Sequence, residues 1–273
     1  MLEITSLLPP RPIAEFLKNV FFKHATSSYF YLDERWLEEA IGVLYSGTAN
    51  LGAKDVTAAC LVVMVLAVGT QYAHLESSQR QRRYSATNLV NPGSDISSEL
   101  DIGSAFYRQV AKLLSEIIHS GSLLSVQVCL LLGLYSLPID ASGLGYIYLN
   151  LAIKLAIQNG MHRKTSRNSF DPNTEEIRRR VWWSAYCMER YVRRIGAYHG
   201  RPASISRSEI DVDVPAPQMS YNNDSVRNVF DPSNLIASIA LTGQIEASLL
   251  EMYVAHQSQI FRIGCRGHLL TCL

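Results

Sequence analysis

Apolar positions fall at three- and four-residue intervals along most of this sequence, and period-two alternation is almost missing. Ile13, Phe16, Leu17, Val20 and Phe21 mark one face of a helix over 12–24, opened by Pro12 in its first turn. After the aromatic cluster Tyr29, Phe30, Tyr31 and Leu32, Asp33 is placed to cap a helix containing Trp36, Leu37, Ala40, Ile41 and Leu44, with Gly47 and Asn50 at its exit. Residues 55–73 are apolar on nearly all faces, which predicts an enclosed central helix. The longest uncharged apolar run there, Ala58 to Val68, is shorter than the ~20 residues a bilayer crossing needs, so no membrane partner is expected.

Over 76–103 the composition shifts to Ser, Gln, Asn and Arg around Asn91-Pro92-Gly93, which predicts an exposed polar connection; Arg80, Arg82 and Arg83 belong to it as solvated loop residues, with a targeting patch as the other reading. Helical spacing resumes at Phe106, Val110, Leu113, Leu114 and Ile117, with Gly121 as a stop and Ser122 as the next cap. Two further apolar segments follow, 123–135 closed by Pro138 and 145–158 closed by Asn159-Gly160. Ile210, Val212 and Val214, ending in Pro215-Ala216-Pro217, predict an extended surface strap, and 231–257 a last helix. The expected class is all-α: stacked helical hairpins or an irregular multi-helix domain over 8–260, with an atypical tail at 261–273.

The most informative segment is 173–195, where Asn173 or Thr174 is expected to cap a helix with Glu175 and Glu176 in its first turn. Ile177, Val181, Ala185, Met188, Val192 and Ile195 define one stripe for burial, and Arg178, Arg179, Arg180, Arg190, Arg193 and Arg194 crowd the other sides. Six arginines on one helix suit a phosphate backbone, but Glu175, Glu176 and Glu189 each stand four residues before an arginine, which favours a structural set of ion pairs. Trp182 and Trp183 lie on adjacent faces, so they serve two different neighbours, as core or as walls of a ligand pocket with Tyr146, His162 and Tyr186.

Composition removes several classes of function. A formal net charge of +1 gives no field to draw the whole chain onto nucleic acid. Glu3 and two early prolines argue against a signal peptide. The five cysteines, Cys60, Cys129, Cys187, Cys265 and Cys272, are scattered and odd in number, which fits reduced thiols; none stands two residues from another as a thiolate zinc site needs, and Cys265, His268 and Cys272 read as tail. No nucleophile elbow, His-Glu-x-x-His, phosphate-binding loop or dinucleotide fingerprint occurs, so no enzyme is expected unless its site is assembled only in space.

Arg178-Arg179-Arg180-Val181-Trp182-Trp183, Met188-Glu189-Arg190, Gly200-Arg201-Pro202, Ile205, Glu209-Ile210-Asp211-Val212 and Val214-Pro215 together resemble the middle homology region of fungal zinc-cluster transcription factors. The stretch 151–163 ahead of them is similar to the preceding segment of that family, and Phe21-Phe22-Lys23-His24 with 29–32 and Leu66-Ala67-Val68-Gly69 to its opening, so the resemblance spans roughly 8–217. Two departures are Glu189, where the family usually has Asp, and His199, where it has an apolar residue.

The resemblance implies a nuclear regulatory domain that controls RNA polymerase II transcription in response to a small-molecule effector or a protein partner, either a homodimer or a full-length relative. It also implies DNA contact made only indirectly, through a six-cysteine, two-zinc module ahead of this region that these cysteines cannot supply. Zinc is therefore expected only in that module, and no cofactor in this chain. The alternative is a truncated stand-alone modulator that pairs with full-length regulators. Arg201 in the Gly200–Pro202 turn is expected as an internal staple to Glu209, Asp211, Asp213 or helix-end carbonyls, with a ligand or partner contact as the other reading. His162 is expected at a helix carboxyl end, where the dipole favours its charged form.

Overall fold

In a computed structural model, the described residues are 7–46, 53–84, 96–164, 170–196, 199–216, 230–249 and 251, with side chains described from 56 to 76 and from 102 onward in the second and third of these spans. Among them no strand occurs, and the class is all-α. The helices are α1 (Arg11–His24), α2 (Glu34–Ser46), α3 (Ala53–Tyr84), α4 (Ile96–Lys112), α5 (Leu114–Ser120), α6 (Leu123–Asp140), α7 (Tyr146–Gln158), α8 (Pro172–Ile195) and α9 over 233–249.

Helix α3 is the axis, in contact with α1, α2, α4, α5 and α6. Its residues 59–68 are buried on every side, as the unbroken apolar run requires. By length and composition α3 and the α6–α7 unit pass as membrane spans, but 78% and 61% of their apolar windows are buried within the protein, so they are core helices here. Gly69 permits the closest approach in the bundle: a Cβ there would lie 2.5 Å from the carbonyl oxygen of Leu17 on α1.

Local caps set several helix ends where the sequence places them. Asp33 Oδ1 accepts the amides of Arg35 (2.9 Å) and Trp36 (3.2 Å) at the start of α2. Ser122 opens α6 by a reciprocal capping box with Ser125, and Gly121, at φ +54°, ends α5 in the left-handed conformation. Gly160, at φ +67°, closes α7 in the same way.

Three expectations need correction. The polar stretch 76–103 is helical up to Tyr84 and again from Ile96, which leaves only 85–95, outside the described residues, for a connection; the side chains of Arg80, Arg82 and Arg83 and the exits at Gly47 and Asn50 are also outside them. Pro138 does not close α6, which runs on to Asp140; a proline near the end of a helix forfeits one hydrogen bond to the preceding turn and little else. The true stop is the Asp140 carboxylate, which accepts the amides of Gly143 (2.8 Å) and Leu144 (3.1 Å) and shapes the π turn Ala141–Gly145 before α7. Finally, Asp171 caps α8, accepting the amide of Thr174 at 3.0 Å, with Pro172 in the first turn.

Candidate functional site

Helix α8 is the element on which the recognised residues meet. Positions 180–190 are buried without interruption, so the single stripe expected with arginines outside it is wrong for Arg180 (2% exposed) and Arg190 (1%). Both are enclosed cations, which persist only when paired and hydrogen-bonded.

At the start of α8, Arg178 reaches across to α7, where its guanidinium donates to the carbonyl of Asn159 at 2.6 Å and packs 4.3 Å over the ring of Phe170. Arg179 pairs with Glu175 (3.2 Å) and Glu176 (2.7 Å), the helical pairing that the spacing predicts. Arg180 pairs with Glu176 at 2.8 Å and lies 5.7 and 5.6 Å from the rings of Phe30 and Phe230, which pack edge-on to each other at 5.2 Å.

The strap after the 3-10 turn Arg207–Glu209 is extended, as expected, and is fastened to α8 and to the α7 exit. The amides of Asp211 and Val212 donate to the carbonyl of His162 at 3.2 and 3.3 Å. Trp183 Nε1 donates to the carbonyl of Asp213 at 2.8 Å, and Glu176 Oε1 accepts the amide of Ala216 at 2.9 Å. Asp211 is held below its ordinary pKa by the amide of Lys164 and then by Arg163, so its carboxylate tethers the exposed end of the strap.

At the carboxyl end of α8, Glu189 and Arg190 form a buried pair, and Arg190 also donates to the carbonyl of Ile205. Glu189 accepts the amide of Ser204 at 3.3 Å. Glu246 on α9 completes the cluster, pairing with Arg190 and Arg193 (2.9 Å) and accepting the Tyr186 hydroxyl at 3.0 Å. In place of the expected Glu189–Arg193 pair, Glu189 takes its neighbour Arg190 and Arg193 takes Glu246 of α9. Burial first, then the Glu246 carboxylate against the opposing Arg190, push the Tyr186 phenol up to about 12.

Trp182, Trp183 and Tyr186 are packed core, 0%, 0% and 1% exposed. Their rings form one array: Tyr186 stands edge-on to Trp183 at 5.4 Å, tilted to Trp182 at 6.4 Å, and His162 lies 5.8 Å beyond Trp182. Tyr146 is not part of it, but lies on α7 under the guanidinium of Arg201 at 3.9 Å. A cleft of about 190 Å³ opens elsewhere, between Trp36, Glu39, Ala40, Val43 and Leu44 of α2 and Ala58 and Ala59 of α3.

Two further side chains depart from expectation. Among the described residues Arg201 takes none of the acids or helix-end carbonyls expected for a staple, whereas Arg178 and Arg190 each hold a main-chain carbonyl. The His162 ring is not stabilised in its charged form: burial, then Arg163, lower its pKa against the opposing pull of Asp211 and Glu209.

Cys60, Cys129 and Cys187 are free and buried, and burial pushes each thiol up to about 12. No group of His, Cys, Asp or Glu that could hold a metal occurs among the described residues; Cys265, His268 and Cys272 lie outside them. The acids Glu189 and Glu246 carry more of this site than the sequence suggests. Glu189 followed by arginine is visible in the sequence, whereas Glu246 is distant from α8, and nothing local to it points to a buried partner.

Comparison with known proteins identifies the family. The model of the fungal specific transcription factor domain matches residues 19–262. An uncharacterized transcriptional regulatory protein of Schizosaccharomyces pombe is 30% identical over 234 residues, 84% of this chain and 27% of that protein. The thiamine repressible genes regulatory protein thi1 of the same organism is 25% identical over 91% of this chain and 30% of its own length. Activator of stress genes 1 of Saccharomyces cerevisiae is 25% identical over 88% of this chain and 23% of its own. The chain thus spans less than a third of the length of these curated relatives. No solved structure matches. These relatives are named as regulators of transcription, not as enzymes, and the match across 19–262 means that the chain belongs to the fungal specific transcription factor domain family.

Proposed function

We propose that this chain is the regulatory domain of a zinc-cluster transcription factor, controlling RNA polymerase II transcription in the nucleus in response to an effector or partner. The length of the relatives supports DNA binding by a module outside these residues, and a net charge of +1 supports a domain that reaches DNA only through it.

The observation that carries the mechanism is the buried ionic cluster of α8. One helix grips the exit of α7 through Arg178, the strap through Glu176 and Trp183, and α9 through Arg190 and Arg193. A shift of α8 therefore moves three elements together. An effector or a second regulator that binds one arrangement more tightly shifts the population, and turning a 1:99 mixture into 99:1 takes about 5.5 kcal/mol of differential affinity.

The test is to join the full chain to a heterologous DNA-binding module and measure a reporter gene carrying that module's site in fungal cells. The chain is expected to change transcription relative to the module alone and to place the fusion in the nucleus. Reporter output identical to the module alone across growth conditions would overturn the reading. The chain alone is expected not to bind duplex DNA specifically at physiological salt.

A further inference from the structure

We propose that Arg201 is the receptor for an oxyanion, the carboxylate or phosphate of a soluble small molecule, and that an effector presents this group to the domain. The proposal rests on the regulatory reading above and gives its ligand a chemical class.

The loop from His199 to Ser204 lies along one face of α7. Arg201 stacks on Tyr146, Ser204 Oγ bonds Asn150 Oδ1 at 2.6 Å, and Lys154 donates to the carbonyl of Ser204 at 3.3 Å. Tyr146, Asn150 and Lys154 stand at successive turns, and the Ser204 amide is anchored from the other side by Glu189. Gly200, at φ +62°, and Pro202 fix the backbone on either side of Arg201. Gly196 makes room for the guanidinium, since a Cβ there would lie 3.3 Å from Nη1.

Stacking holds the plane of a guanidinium while its five N–H donors point outward within that plane. Here Nη1 is enclosed against Gly196 with no hydrogen-bond partner, Arg201 has no ion pair among the described residues, and the edge formed by Nε and Nη2 is the side left for an outside acceptor. The acids in reach of the sequence pattern are engaged elsewhere: Glu189 with Arg190, Glu246 with Arg190 and Arg193, Asp211 with Arg163 and Lys164, Asp213 with Lys164, and Glu209 with the amide of Ser206. Lys154 likewise has no carboxylate partner among the described residues and takes only a carbonyl.

The loop therefore holds an uncompensated guanidinium in a fixed plane on Tyr146, the arrangement that a carboxylate or phosphate completes, while Lys154, two turns along α7, is engaged by the Ser204 carbonyl. Two cations do not make the row that a nucleic-acid backbone requires, so the oxyanion belongs to a small molecule.

The experiment titrates the full chain with sodium phosphate and, separately, sodium succinate, at ionic strength held constant with sodium chloride. The readout is the Nε–Hε resonance of Arg201, assigned by its loss in Arg201→Lys. A saturable shift with one or both anions is expected; phosphate alone points to a phosphorylated effector and succinate alone to a carboxylated one. Binding followed by melting temperature should weaken by about tenfold or more in Arg201→Lys, where a point charge replaces a bidentate fork, and should persist in Tyr146→Phe, which keeps the stacking face. No saturable shift with either anion, or equal binding by Arg201→Lys, would overturn the proposal. Absence of binding by the wild-type chain with the reporter effect intact sinks this inference alone, whereas wild-type binding without any reporter effect sinks the regulatory reading.

Discussion

Trp183 donates its indole N–H to the main-chain carbonyl of Asp213 at 2.8 Å, so the middle of α8 and the strap are joined across thirty residues of sequence. The indole is wholly enclosed, stacked edge-on to Tyr186 and covered by the guanidinium of Arg207 at 5.1 Å. Trp183→Phe keeps an aromatic face and loses the bond, which should cost ~0.5–1.5 kcal/mol plus a packing defect. Trp183→Ala should cost ~3–5 kcal/mol. Urea unfolding of both variants checks this, and an unchanged midpoint for Trp183→Phe would show that the strap is not fastened there.

Glu176 serves three groups: Arg179, Arg180 and the amide of Ala216. Removing its charge by Glu176→Gln leaves Arg180, 2% exposed, without its carboxylate, a loss of ~3–5 kcal/mol for a broken buried pair. The double variant Glu176→Gln/Arg180→Met removes the stranded charge and gives the rings of Phe30 and Phe230 an apolar neighbour. It should be more stable than Glu176→Gln alone in the same urea titration, and the opposite order would mean that Arg180 is solvated.

What the sequence disclosed and what it hid divide along a physical line. Caps at Asp33, Ser122, Gly121 and Gly160 were legible because each acts on backbone groups within a few residues of itself. Asp171 caps α8 through an equally local signal, Asp-Pro at a helix start, ahead of the Asn173 and Thr174 that the composition also offers. The burial of Arg180 and Arg190 was not legible, since it depends on Phe230, Ile205 and Glu246 being brought from far along the chain. The recognised motif residues lie on one helix and the loop and strap after it, yet their division into core (Trp182, Trp183), clamp (Arg178, Arg180, Arg190) and free donor (Arg201) needed the three-dimensional contacts.

His162 links stability to pH. Its folded pKa lies below the ordinary 6.5, first because of burial and then because of Arg163. As pH falls below about 6.5 the unfolded chain takes up this proton before the folded one does, so the stability present above that pH is lost as pH drops through the folded value. His162→Gln should flatten the difference in unfolding free energy between pH 7.5 and pH 5.5. An equal difference in variant and wild type would exclude His162 as its source.

Cys60, Cys129 and Cys187 are buried, with thiols pushed up to about 12. At pH 8 the thiolate fraction of each is on the order of one in ten thousand, and the reagent has no access. Iodoacetamide should leave the three peptides unmodified in the folded protein and modify them in urea, as read by mass spectrometry. Modification of any of the three without denaturant would show that its helix opens.

Two glycines on helices should respond to alanine in opposite directions. A Cβ on Gly42 of α2 meets nothing within 4 Å, so Gly42→Ala only removes backbone freedom from the unfolded chain and should stabilise by ~0.5–1 kcal/mol. A Cβ on Gly69 would lie 2.5 Å from the carbonyl oxygen of Leu17, a main-chain atom that no rotamer change can move. Helix α1 would have to back away from α3 and open the core around Leu17 and Phe21, which predicts a loss of ~1–3 kcal/mol or more. Thermal melts of the two variants side by side decide the matter. If Gly69→Ala melts no lower than wild type, the contact between α1 and α3 is looser than the geometry shows, and α1 rather than α8 becomes the element with room to move.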